Sequence, residues 1–152
     1  MVGLAALAGG ASVTFQDLRS RSVELALHNA AVNGWGDRAQ GQAVDWQSPP
    51  PQTFYWIIAS DVLYHEALDQ PLLDFLCRAL ASASRSTVSD VSQLQDVNIR
   101  DSIWIGDPGR RQAHAFIDRA ERIFNVLLFD HSGIRIDEPQ QGQYQLIILT
   151  PR

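Results

Sequence analysis

Apolar segments of strand character alternate with helical ones along most of this chain, and that alternation limits the fold more than any other feature. "SVTFQD" is a strand, with Val13 and Phe15 pointing one way and Thr14 the other. "RSVELALHNAAVNGW" is a helix, with Val23, Leu27 and Ala30 at helical spacing and Asn33-Gly34 as its stop. "AQGQAVDW" is a weaker strand, and "QSPPPQ" is a rigid loop, because prolines forbid both helix and ladder. "TFYWIIASDVLY" holds a nearly continuous apolar run over 54–59, which suits a strand buried on both faces. "PLLDFLCRALASA" is a helix with Pro71 in its first turn. "SIWIGD" is a strand, "RQAHAFIDRAERI" a helix, and "NVLLFD" and "YQLIILT" are two closing strands that can pair antiparallel across a turn at Gln140 to Gly142. "GLAALAG" before all of this reads as a short helix ended by Gly9-Gly10, and the polar, Ser-rich stretch 82–98 reads as a loop. Strand-helix alternation points to an α/β fold with a mostly parallel sheet and an antiparallel C-terminal edge. No internal repeat is visible, and one domain over 1–152 is the expectation.

Composition narrows the functional classes. The chain is 45% hydrophobic and 19% charged, with a formal net charge of -5. That balance argues against a general grip on nucleic acid, which needs clustered Lys and Arg, and against anionic membranes. No apolar run approaches the roughly 18 residues of a membrane span. No Lys or Arg precedes Arg19, so "LAALAGG" lacks the basic start of a signal peptide. An intracellular, cytoplasmic protein is the expectation. The lone Cys77 forms no internal disulfide, and its apolar helical setting predicts a buried structural thiol. His28, His65, His114 and His131 fall in no metal-ligand spacing, so no metal is expected. No GxSxG, phosphate loop or Cys-His signature is present.

In an open parallel sheet, ligands bind beyond the carboxyl ends of the strands. Four successive strands here end in an aspartate: Asp17, Asp45 beside Trp46, Asp61 three residues before Tyr64, and Asp107. Aspartate suits turns, so each has a purely local reading. Each also has a chemical one. A carboxylate after a strand can take both ribose hydroxyls of a nucleoside. An Asp beside a Trp can accept from an adenine amine while the indole covers its face. An Asp-x-x-Tyr pair can position a polar substrate group.

These segments resemble the class I S-adenosylmethionine-dependent methyltransferases, whose fold is a Rossmann-like seven-strand sheet. "GLAALAGGASVTFQD" is similar to the stretch after their glycine loop, and "VELALHNAAVNGW" to their next helix. "AVDW" and "IIASDVLYHEALDQPLLDFLCRAL" narrow the likeness to methyltransferase family 16, the lysine protein methyltransferases, marked by Asp-x-x-Tyr after the fourth strand. Here that motif is Asp61-Val62-Leu63-Tyr64. "IGDPGR" resembles the exit of the fifth strand. The resemblance implies S-adenosyl-L-methionine as cofactor and a protein lysine, or a small-molecule amine, as the methyl acceptor. It implies that Gly3 is the last glycine of the cofactor loop, that Asp17 binds the ribose, and that Asp45 and Trp46 flank the adenine. It implies that Ala59 and Ser60 line the pocket by the methionine part, and that Asp61 and Tyr64 orient the target amine. The family's first strand and most of its glycine turn have no counterpart in "MVG", so a missing first strand is the expectation. A break in pairing is then expected between the strands at 12–16 and 54–59. The rival reading is a non-catalytic remnant that survives as a partner-binding or structural piece.

Overall fold

The computed structural model describes residues 2–81, 94, 97 and 100–152. The chain divides into two compact units, Met1–Pro50 and Pro51–Arg152.

The first unit holds α1 (Val2–Ala8), β1 (Val13–Asp17), α2 (Ser20–Val32) and β2 (Ala39–Ala43). β1 and β2 pair in parallel, Val13 opposite Ala39 through Asp17 opposite Ala43. A parallel pair needs a crossover, and α2 is that crossover, seated on both strands. Its buried Val23 and Ala30 stand seven residues apart, two turns along one face. Arg38 closes the other helix: its Nη1 donates to the carbonyls of Leu7 and Ala11, both at 2.9 Å. This ties the end of α1 to the loop that follows it.

The second unit holds β3 (Trp56–Ser60), α3 (Asp69–Ala79), β4 (Ser102–Asp107), α4 (Gln112–Ala120), β5 (Phe124–Asp130), β6 (Arg135–Ile136) and β7 (Gln145–Pro151). Its sheet runs β3-β4-β7-β5-β6. β3 and β4 are parallel, while β7 is antiparallel to both β4 and β5, and β6 is antiparallel to β5. The antiparallel strand expected at the C-terminus is therefore inserted between two others, and the short β6 takes the edge. Cross-strand rows show why these sequences fit. Trp104, Ile148 and Leu127 stand opposite one another on one face, and Ile105, Ile147 and Leu128 on the other. The first row joins Phe129, Leu146, Leu94 and Val97 in one apolar cluster. On α3 and α4 the stripes Leu72, Leu73, Leu76 and Ala113, Phe116, Ile117 are buried.

The seven-strand sheet of the resemblance is thus two sheets among the described residues, with the strands at 12–16 and 54–59 in different ones. One expectation is corrected. Cys77 is exposed, because α3 turns Leu72, Phe75, Leu76 and Ala79 inward and leaves 77 and 78 outside. Partial desolvation and the charge of Asp74 push its thiol above the ordinary range, away from nucleophilic character. The 82–98 loop lies outside the described residues except for Leu94 and Val97.

Candidate active site

In the first unit, β1 and β2 run in the same direction, so Asp17 and Asp45 come out at the same carboxyl rim. The Val44 N–H donates to the Asp17 carbonyl at 2.9 Å and continues the ladder to that point. Both side chains are exposed. Each uses Oδ1 in a local turn, accepting from the Arg19 N–H at 2.8 Å and from the Gln47 N–H at 3.0 Å. The turn reading therefore holds for both, and it occupies one oxygen of each. Among the described residues the other oxygen of each accepts no hydrogen bond. Trp46 is half-buried beside Asp45, an indole face next to a carboxylate. Gly3 is a buried residue of α1, and a Cβ there would overlap the ring of Phe15. Helix-to-strand packing is enough to require glycine at this position.

In the second unit, Ala59, Ser60 and Asp61 lie at the carboxyl end of β3. Asp61 has φ 59°, in the left-handed region. That conformation strains a side-chain-bearing residue, and such strain persists where surrounding structure imposes it. Here the Asp61 N–H is fixed to the Gly106 carbonyl of β4 at 2.9 Å. The carboxylate is exposed and receives Nε of Arg110 at 2.9 Å and Nη2 at 2.5 Å, both on Oδ1. Among the described residues Oδ2 has no donor. Leu63 is fully buried and anchors the turn, and Tyr64, 53% exposed, stands outward from it. The side chain of His65 closes the next turn by accepting from the Ala67 N–H at 3.2 Å.

Asp107, fully buried at the end of β4, organises the neighbouring loops. Its Oδ1 accepts from the Gly109 and Arg110 N–H groups, both at 2.8 Å, and from Nε2 of Gln145 at 3.3 Å. Gln145 in turn accepts from the Gln140 N–H at 2.9 Å, and the Gly142 N–H donates to the Gly109 carbonyl at 2.8 Å. The loop after β4 and the loop before β7 are latched to each other, and the first of them carries Arg110 to Asp61. Arg110 and Gln145 are not among the residues that the sequence singles out. "IGDPGR" was the only local signal, and the partner loop is about 30 residues further on, beyond the reach of any spacing argument.

No group of three or more His, Cys, Asp or Glu side chains among the described residues is placed to hold a metal ion. No helix among them is long and apolar enough to cross a membrane.

The family model described as "Lysine methyltransferase" matches residues 1–98. No curated protein matches the chain in sequence. Among solved structures, a TehB-like SAM-dependent methyltransferase from Corynebacterium glutamicum aligns over 99% of this chain and 74% of its own, at 17% identity and TM-score 0.66. A ribosomal protein methylase from Lactobacillus delbrueckii subsp. bulgaricus aligns over 99% of this chain and 65% of its own, at 18% identity and TM-score 0.61. The N-methyltransferase NodS from Bradyrhizobium japonicum, solved with S-adenosyl-L-homocysteine, aligns over 91% of this chain and 65% of its own, at 13% identity and TM-score 0.60. At these identities the likeness is one of fold.

Proposed function

The chain belongs to the lysine methyltransferase family of S-adenosylmethionine-dependent methyltransferases, and from that premise we propose that it moves a methyl group from S-adenosylmethionine to an amine, a protein lysine being the substrate class. We propose a cytoplasmic setting for this reaction. The observation that carries the reading is Asp61: an exposed carboxylate at a strand's carboxyl end, held in a left-handed conformation, with one oxygen still open.

The residues present fit the cofactor. Asp17 offers a free carboxylate oxygen for the ribose hydroxyls, and Asp45 with Trp46 offers an acceptor and a ring face for the adenine. Ala59 is half-buried and Ser60 exposed, small side chains that the family resemblance sets beside the methionine part. Gly3, buried in α1, is the residue that the resemblance sets at the end of the cofactor loop. When bound, S-adenosylmethionine supplies an electrophilic methyl group and leaves as S-adenosylhomocysteine.

The chain's own residues have two tasks. The first is to attract a cationic side chain: Asp61 Oδ2 accepts an N–H of the incoming ammonium, while Arg110 on Oδ1 keeps the carboxylate from turning. The second is to fix the approach of the nitrogen once it has lost a proton, with its lone pair in line with the methyl carbon. Holding reacting atoms in that geometry is the main source of acceleration for such a displacement. Tyr64 shapes the channel beside Asp61. The nitrogen would give up its first proton to solvent before transfer and its second to solvent after it, while Asp61 holds it in place.

The test is product identification. The protein is incubated with isotopically labelled S-adenosylmethionine, a cell lysate and a panel of small amines, and the labelled products are identified by mass spectrometry. Label on lysine side chains supports the reading. Label on small amines alone moves the substrate class, and label on neither favours a non-catalytic role.

A further inference from the structure

The glycine at the end of β4 is explained by a residue that the reaction above leaves unused. A Cβ on Gly106 would overlap the hydroxyl oxygen of Tyr144, and the same point lies 3.6 Å from Ser60 Oγ. Ser60 is directly opposite Gly106 in the β3–β4 register, and the Asp61 N–H bonds the Gly106 carbonyl. The phenol of Tyr144 therefore lies over Gly106 next to Ser60, the residue before Asp61. It is not a packed core ring, since Tyr144 is 49% exposed. Among the described residues its hydroxyl makes no hydrogen bond. Its position is nevertheless fixed, because Gln145, the next residue, is 1% exposed and bonded to Asp107. The loop before it is tied to Gly109, whose φ of +81° and close neighbours Gln140 and Gln143 admit no larger residue.

We propose that Tyr144 is a further substrate-orienting residue: its hydroxyl oxygen, seated over Gly106 beside Ser60, accepts a hydrogen bond from the same amine that Asp61 receives. This rests on the amine-methylation reading above. The physical case is directional. An amine held by one acceptor can swing about that single bond, so its lone pair sweeps a cone. A second acceptor removes the swing and sets the lone pair along one line, which an in-line displacement requires. A phenol suits the task, because it accepts without adding a second negative charge that would keep the nitrogen protonated. Glycine at 106 leaves the space in which the hydroxyl sits.

The chain contains three tyrosines, so ring-labelled tyrosine gives a spectrum with few signals. The full protein, with 13C-labelled tyrosine rings and saturated with S-adenosylhomocysteine, is titrated with Nα-acetyl-lysine methylamide. Tyr144→Phe, which keeps the ring and its packing, assigns the signal. The expected result is a saturable shift of the Tyr144 resonance that is lost in Asp61→Asn. In turnover, Tyr144→Phe is expected to lower kcat/KM for the methylated amine about 5- to 20-fold, the effect of one hydrogen bond, with cofactor affinity unchanged. An unshifted Tyr144 signal with full activity of Tyr144→Phe overturns the proposal and leaves the methylation reading intact. A saturable Tyr144 shift in a protein that methylates no amine overturns the methylation reading and keeps the amine contact. Absence of both the shift and the transfer overturns both.

Discussion

Asp17 and Asp61 are both exposed carboxylates at strand ends, yet they are expected to fail in different ways when removed. Asp17 is assigned to the ribose, where two charge-assisted bonds form equally in the ground state and the transition state. Asp17→Ala should therefore weaken S-adenosylmethionine binding by about 1–3 kcal/mol, measured by calorimetry. Unchanged affinity would remove Asp17 from the site. Asp61 is assigned to the amine, so its loss should appear in turnover. Asp61→Ala is expected to slow methyl transfer strongly and to leave cofactor affinity within about threefold, under about 0.7 kcal/mol. A parallel fall in both would make Asp61 a cofactor or folding residue. At this scale the sequence was informative about the carboxylates and silent about what holds them. The acid at the end of β3 could be read from an apolar run followed by Asp-x-x-Tyr. That its Oδ1 is tied to Arg110, 49 residues away, depends on two strand ends meeting.

The loops after β4 and before β7 behave as one element because Asp107, Gly109, Gln140 and Gln145 bond across them. Gly109→Ala places a side chain in a left-handed residue pressed against neighbouring backbone. A loss of about 1–3 kcal/mol is expected, read from the urea midpoint. A neutral effect would mean the latch is loose. The turn between β5 and β6 offers a pH test. Asp130 Oδ1 accepts from the Ser132 N–H at 2.8 Å and the Ile134 N–H at 2.9 Å. The backbone N–H groups of Ile134 and Ser132 hold its carboxyl below the ordinary value of 3.8. A depressed carboxylate stabilises above the unfolded value and loses that contribution as pH falls through the folded one. The amide signals of Ser132 and Ile134 should therefore move together as the pH drops below about 3.8, and independent movement would contradict the shared carboxylate. Most elements were legible because their apolar period exceeds one turn or pleat. β6 was not, since two residues carry no period, and the exposure of Cys77 depends on how α3 is rotated. The place of β7 between β4 and β5 was also illegible, because an apolar strand reads the same at an edge and in the middle of a sheet.

At the scale of the whole molecule, Asp69 is a buried charge, 2% accessible and bonded to Arg119 at 2.8 Å. Burial pushes its carboxyl above 3.8, and Arg119 only partly offsets this. A raised carboxyl gives stability that is complete below the unfolded value and is lost as pH rises through the folded value. Asp69→Asn has no such loss. Its urea midpoint should gain on the wild type as pH rises above 3.8, and a constant difference would contradict the burial cost. The family and its fold were readable in the sequence at this scale. The division into two sheets was foreseen only as a break between two strands.

The account stands most directly on single-turnover transfer of labelled methyl from S-adenosylmethionine to a lysine-containing peptide, followed at rising cofactor concentration. The wild type should place label on the lysine nitrogen. Asp17→Ala should recover the wild-type rate once cofactor saturates it, because only binding was lost, whereas Asp61→Ala should stay slow at every concentration. Recovery of both variants would contradict the division of labour between the two carboxylates. Label on no amine at any concentration would contradict the assignment as a methyltransferase acting on amines.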